Sequence, residues 1–287
     1  MTDSPNLTRP SEVRTLLAQL DFHPSRLMGQ NFLIDRNILN ILLEAADLQP
    51  EDHVVEVGPG LGVLTDALLD RVAALTAVEK DNRLAPYLRE RFVDSHNLTL
   101  IHSDILDCDF PELFPAPGHK LVANLPYAIA ARLLVELTAI PHPPALIVVT
   151  IQREVADRLI AAPSSQDYGL LSILLQRHYA IDTVKHISPS CFWPQPTVQS
   201  SISRLALRPE PLGGAADELE LRALLRHAFS RRRKTMARSL RDWTPDPLPA
   251  LEAAGIAPTA RAEELPAEVW PVLLRALPPP MPKKSRR

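Results

Sequence analysis

The sequence predicts an α/β fold: a mostly parallel sheet with helices on both faces, followed by a small all-helical C-terminal domain. Two observations carry this. Short β-branched and apolar runs alternate with helical patterns from residue 53 to about residue 160, the signature of βαβ units. Then PEPLGGAAD (209–217) breaks the pattern with proline and glycine, and everything beyond it reads helical and proline-punctuated. The chain therefore divides into 1–208 and 209–287.

Taken in order, VRTLLAQL and NILNILLEAADL have the apolar spacing of helices. Between them lies LMGQNFLID, which has no period. HVVEVG is a strand followed by helix LTDALLDRV, and ALTAVE a strand followed by helix RLAPYLRERF. LTLIHSD leads to a loop, KLVANL to helix AARLLVELT, and ALIVVTI to helix REVADRLI. YAIDTVKHIS and VQSSISRLAL suit a closing antiparallel pair.

At 287 residues and 46% hydrophobic, the chain can bury a substantial core. No apolar run reaches the length of a membrane span, and MTDSPNLTRP has neither the basic nor the apolar region of a secretory signal. Cys108 and Cys191 form no metal or disulfide pattern, which fits a reducing cytoplasm, and the nine histidines lack ligand spacing, so no metal is expected. Without a sustained heptad pattern, a monomer is expected. Net charge is −3, yet RRRKTMARSLR (231–241) carries six cations and no acid, and the chain ends KKSRR. Such local charge bears on partners more than the sum does.

Only nine glycines occur, and Gly58, Gly60 and Gly62 fall together in EVGPGLG, where the first strand of the alternation gives way to a helix. Glycine permits a tight turn and close approach of a ligand to the main chain; an ordinary strand-to-helix turn uses it too. A dinucleotide fingerprint would need glycine in place of Val63, and no Lys-Ser/Thr follows to make a phosphate loop. Glu79 ends the next strand, Asp104 follows the third, and Asn124 ends the fourth. Open α/β sheets bind ligands at that carboxyl edge. A ribose-binding acid without a phosphate device suggests a nucleoside ligand lacking phosphate, of which S-adenosylmethionine is the common one.

In that arrangement the chain is similar to Rossmann-type methyltransferases acting on an adenine amino group. More fully, it resembles the ribosomal RNA adenine dimethyltransferase family, through GQNFLID, EVGPGLGVLT, VEKD, NLPYAIA, QREVADRL, YGLLSILLQ, FWPQPTVQSSISRL and FSRRRKTMARSL, in order from about residue 24 to 241. The resemblance implies a Rossmann-like class I methyltransferase sheet. It also implies methyl transfer from S-adenosylmethionine to N6 of two adjacent adenines near the 3′ end of 16S rRNA in the assembling 30S subunit. By position, it implies that Asn31 and Leu33 line the cofactor's methionine end and the adjacent pocket, and that the main chain at Gly58, with Gly60 beside it, passes close to the cofactor. Glu79 would hold the ribose, Asp104 the adenine amino group, and Asn124 both cofactor and substrate.

An exocyclic amine is a poor nucleophile because its lone pair is delocalised into the ring. The Asn124 side-chain oxygen and the Leu125 carbonyl can orient it as acceptors. Pro126 lacks an N–H and stiffens the turn, and Tyr127 offers a face on which a flipped base can stack. Two positions depart from the family pattern: Ala128 and Ala130 stand where polar residues are usual. In LRALLRHAFSRRRKTMARSL the apolar residues recur at roughly helical spacing, which predicts one helix with a packed face and a cationic face. Arg231, Arg232, Arg233 and Lys234 are the expected RNA contacts. Phe192 and Trp193 are read as a wedge holding their loop to the sheet. A large-subunit rRNA methyltransferase of the resistance type and a non-catalytic nucleic-acid binder remain as alternatives.

Overall fold

The structure is a computed structural model that describes residues 5–25, 29–231 and 233–279. The elements run α1 (Pro10–Gln19), β1 (Phe32–Leu33), α2 (Arg36–Ala45), β2 (His53–Val57), α3 (Val63–Leu69), β3 (Ala74–Glu79), α4 (Leu84–Arg91), β4 (Leu98–His102), α5 (Phe110–Leu113), β5 (Lys120–Asn124), α6 (Tyr127–Leu137) and β6 (Leu146–Gln152). They continue with α7 (Arg153–Ile160), α8 (Leu170–His178), β7 (Tyr179–Ile187), β8 (Phe192–Trp193), β9 (Ser200–Leu207), α9 (Glu218–Phe229), α10 (Met236–Ser239), α11 (Leu248–Ala253) and α12 (Val269–Ala276). Among the described residues, no helix is long and apolar enough to cross a membrane.

Seven strands form one sheet in the order β4-β3-β2-β5-β6-β9-β7. β4, β3, β2, β5 and β6 pair in parallel, and β9 runs antiparallel to β6 from Leu146↔Ala206 to Gln152↔Ser200. The chain order reverses direction across the sheet beside β2, which opens the crevice where such sheets bind ligands. The central strands are buried on both faces: Val54, Val55, Val57, Leu121, Val122, Ala123 and Ile147 to Val149 are each 3% exposed or less. Near-continuous apolar runs of this kind are what a doubly covered parallel strand requires. The Asp35 side chain caps α2 by accepting the Ile38 N–H at 3.0 Å, and Ile38, Leu39, Leu42 and Leu43 form its buried stripe. A second, two-stranded sheet pairs β1 with β8 (Phe32↔Trp193, Leu33↔Phe192). Phe192 is buried and Trp193 packs on the cluster around Phe32, so both are the expected wedge.

The chain divides into two compact units, Met1–Ala156 with Ile181–Leu207, and Asp157–Ala180 with Arg208–Arg287. This corrects the simple cut at 208/209: residues 157–180 go with the C-terminal helices. The reason is a buried polar centre. Arg177, wholly buried, donates to the Leu212 and Gly214 carbonyls and pairs with Glu218 at 2.7 Å, and the Tyr168 hydroxyl donates to the Leu265 carbonyl. Burial works to raise the Glu218 carboxyl, but His178 and Arg177 outweigh it and hold the group below its ordinary value. The predicted single basic helix is also two. α9 ends at Phe229, Ser230, Arg231, Arg233 and Lys234 lie in a turn, with Lys234 N–H on the Arg231 carbonyl, and α10 begins after Thr235. Thr235 bridges to Arg261 and the Met236 N–H bonds the Ala260 carbonyl, and this redirects the chain so that Met236 and Leu240 are buried. Arg231, Arg233 and Lys234 thus lie on a turn, not on a helix face.

One acid sits inside the sheet. Glu56 on β2 is 1% exposed, and its Oε2 accepts the Thr65 hydroxyl at 2.7 Å. Burial raises its pKa from 4.5 to about 8; the Thr65 bond opposes this, and the charges of Glu79 and Asp66 add to it. Between those two pH values the unfolded chain has lost the proton that the folded chain keeps, so stability falls as pH rises. Above about pH 8 both forms are ionised and the loss stops. Glu56→Gln keeps an acceptor for Thr65 and cannot ionise. Its thermal midpoint should therefore pull ahead of the wild type's progressively across this window, as followed by circular dichroism. Parallel curves would mean that Glu56 ionises like a solvated acid.

Candidate active site

Four neighbouring strands deliver the predicted residues to one edge. Gly58 follows β2, Glu79 ends β3, Asp104 lies just past β4 and Asn124 ends β5. One cleft is lined by Asn31, Leu33, Gly58, Glu79, Asp104, Asn124 and Pro126, together with Glu56. Gly60, Leu125 and Tyr127 do not line it.

Glu79 is 6% exposed. Its Oε2 accepts the Gly60 N–H at 3.1 Å and its Oε1 accepts the Asp81 N–H at 2.8 Å. Burial pushes its carboxyl up, and those N–H groups pull it back. Each oxygen retains acceptor capacity for a ligand. Gly60 thus acts on the site through Glu79. Its φ is +62°, and a Cβ there would lie 3.0 Å from the Phe32 ring. Gly58, φ +68°, packs its α-carbon face near the Pro126 ring, where a Cβ would be 3.4 Å away. The tight turn and the close packing both need glycine.

Asp104 does two things. Its Oδ1 accepts the Leu106 N–H at 3.0 Å, capping the turn Ile105–Asp107, and its Oδ2 pairs with Lys80 Nζ at 2.7 Å. The Lys80 bond, then the Leu106 bond, hold its carboxyl below the ordinary range. Acceptors dominate the cleft: Glu56, Glu79, Asp104 and Asn124. Among the described residues that line it, Lys80 is the one lysine or arginine, and it is paired with Asp104. This donor set suits hydroxyls, amino groups and positive charge, and not phosphates.

The Asn124 amide has a fixed sense. Its Nδ2 donates to the Asn31 main-chain carbonyl at 3.0 Å, which can only accept, so Oδ1 is left as the presented acceptor. Leu125 is 2% exposed and donates its N–H to the Thr150 carbonyl at 3.1 Å. Tyr127 is half-buried, with its hydroxyl on Ser200 Oγ at 2.5 Å. Ala128 lines the cleft, whereas Ala130 is fully buried. In the C-terminal unit Arg231, Arg233 and Lys234 are exposed, and Arg231 pairs with Asp242. Arg232 and the KKSRR end lie outside the described residues.

Sequence reasoning passed over Glu56, Gln30 and Lys80 as cleft residues. An acid flanked by three valines in HVVEV was the available signal for Glu56.

The ribosomal RNA adenine dimethylase family model matches residues 23–275. A relative from Opitutus terrae, named ribosomal RNA small subunit methyltransferase A, is 40% identical over 273 residues, 92% of this chain and 97% of its own. One of the same name from Bacillus cytotoxicus is 35% identical over 286 residues, 96% of this chain and 98% of its own. Among solved structures, a dimethyladenosine transferase from Plasmodium falciparum superposes with TM-score 0.70 at 23% identity, over 83% of this chain and 94% of that one. The 23S rRNA methyltransferase ErmE gives TM-score 0.64 at 28% identity, over 86% and 99%. With its parallel sheet, its acceptor-lined cleft and these relatives, the chain belongs to the ribosomal RNA adenine dimethylase family.

Proposed function

We propose that this protein transfers methyl groups from S-adenosylmethionine to N6 of two adjacent adenines near the 3′ end of small-subunit rRNA, acting as a cytoplasmic monomer on the assembling subunit. The observation that carries this is the locked Asn124 amide, which presents Oδ1 at the rim shared with Glu79. The small-subunit substrate is favoured by relatives of that name at 35–40% identity, against 28% for ErmE.

The cleft's residues fit the cofactor. Glu79 would take the ribose hydroxyls, Asp104 the adenine amino group, and Asn31 and Leu33 the methionine end. S-adenosylmethionine supplies an electrophilic methyl group on a sulfonium. The protein's task is orientation. Asn124 Oδ1 and the Leu125 carbonyl accept the two N–H bonds of the target amine and turn its lone pair out of conjugation. No strong base and no covalent intermediate are required, and positioning supplies the rate. The Tyr127 face lies outside the cofactor cleft, beside the turn where a flipped base would stack.

Glu79→Ala should weaken S-adenosylmethionine binding about 10- to 100-fold, since losing a charged hydrogen-bond partner costs about 1.5–3 kcal/mol. Gly60→Val should do at least as much harm by displacing Phe32 and the N–H that holds Glu79. Calorimetry reads both, and unchanged affinity would place the ligand elsewhere.

Replacing Arg231, Arg232, Arg233 and Lys234 with glutamine should lower rRNA affinity and flatten its salt dependence, because fewer counterions are released. Arg231 should contribute least, being paired with Asp242. An unchanged salt slope would leave these cations merely solvated.

Nucleoside mass spectrometry of treated rRNA tests the reaction itself. With excess cofactor the product should be N6,N6-dimethyladenine. Asn124→Ala should slow both transfers far more than it weakens RNA binding. A product that stops at monomethyladenine, or methyl on another base, would overturn the assignment.

A further inference from the structure

Gln30 joins two parts of the site that the reaction uses separately. Its Oε1 accepts the Ser25 N–H at 2.8 Å, and its Nε2 donates to Asp81 Oδ2 at 2.9 Å. A main-chain N–H can only donate and a carboxylate can only accept, so a side-chain amide is the group that satisfies both. Glutamate would set two carboxylates against each other. Its own N–H also bonds the Ser25 carbonyl at 3.2 Å.

On one side of Gln30 is the turn that holds Glu79. Asp81 gives its N–H to Glu79 Oε1, and its Oδ1 accepts the Arg83 and Leu84 N–H groups at the start of α4. On the other side are Gly29 and Asn31, which support the Asn124–Tyr127 turn. The Asn31 carbonyl takes the Asn124 amide, and Gly29, with φ +66°, lies so near that a Cβ on it would be 3.3 Å from the Tyr127 nitrogen. A continuous path therefore runs from Glu79 through Asp81, Gln30 and Asn31 to Asn124.

We propose that Gln30 is a positioning residue: through Asp81 it ties the Asn31 loop to the Glu79 turn, so that filling the ribose end of the cleft fixes the aim of the Asn124 acceptor. This rests on the methyltransferase reading above. It assigns Gln30 no contact with the reacting atoms.

The test uses the whole protein with S-adenosylmethionine and small-subunit rRNA. Gln30→Glu should slow single-turnover methyl transfer about 10- to 100-fold, the scale of a small misplacement. Its cofactor dissociation constant should change less than about threefold. The double variant Gln30→Glu with Asp81→Asn reverses donor and acceptor, keeps an oxygen for the α4 cap, and should recover most of the rate. In the wild type, cofactor should protect peptides spanning 29–31 and 124–127 from amide hydrogen exchange together. In Gln30→Glu the second should lose that protection, and the double variant should regain it.

A merely structural Gln30 would lower the melting temperature and leave the rate of the folded fraction alone. Wild-type turnover in Gln30→Glu, or a double variant no faster than the single one, overturns the proposal. If Gln30→Glu does not fold, the double variant decides: folded and active supports the pairing, and folded but inactive, or unfolded, overturns it. If the wild type methylates no adenine, the methyltransferase reading fails, while the exchange experiment still reads the coupling.

Discussion

A side-chain amide presents its oxygen reliably only when its NH2 is held somewhere else. In this protein the Asn31 carbonyl holds it, 3.0 Å from Asn124 Nδ2, and the rest of the site is arranged around that bond. β5 brings Asn124 to the sheet edge, and the Leu125 N–H reaches across to the Thr150 carbonyl at the same level of β6. Pro126 then stands just before α6 as its cap residue, with no N–H to satisfy. Gly29 lets the opposing loop lie against the turn, because a Cβ there would come within 3.3 Å of the Tyr127 nitrogen. Losing the Asn31 carbonyl's position would free the amide to rotate, and both ends of the turn would lose their reference.

The electrostatics of the cleft point the same way. Glu56, Glu79 and Asp104 crowd one edge, and burial raises the first two. Acids concentrated in this way are costly without a donor-rich or cationic ligand to offset them. Lys80 relieves Asp104 alone. A ligand with hydroxyls or an amino group can donate to Glu79, whereas a phosphate would face the charges of Glu79 and Asp104; Glu56, which keeps its proton to about pH 8, adds no charge below that. The absence of a phosphate loop in EVGPGLG and the surplus of carboxylates are thus one design read at two levels.

Much of this was legible in the sequence because short β-branched and apolar runs end at definite residues, and Glu79 and Asn124 are those residues. The ligand-facing rim of a parallel sheet can be read from strand ends alone. What failed to show has a common cause: it depends on contacts between residues far apart in sequence. Gly60 looks like a ligand contact from its motif, but its N–H is turned onto Glu79. Gln30 to Asp81 spans 51 positions and Tyr127 to Ser200 spans 73. The basic segment kept its apolar spacing through a break, because Met236 and Leu240 are buried from α10 and the turn that follows it as well as they would be from one long helix. The grouping of 157–180 with the C-terminal helices rests on Arg177, a charged residue whose complete burial no periodicity announces.

The two alanines that depart from the family pattern can be understood through the same supports. A polar residue at 128 or 130 would matter if the turn before it depended on α6 for hydrogen bonds. It does not. Asn124 is held by Asn31, Leu125 by Thr150 and Tyr127 by Ser200, and the Gly29 loop backs Pro126. All four supports come from outside the helix. Ala130 is fully buried, so a hydroxyl there would need a partner of its own, whereas alanine needs none and is the best helix former. Ala128 lines the cleft with a small side chain, where a larger polar residue would take up part of its volume. The two alanines therefore leave the supports of the Asn124–Tyr127 turn in place, and of the two only Ala128 reaches the lining of the cleft.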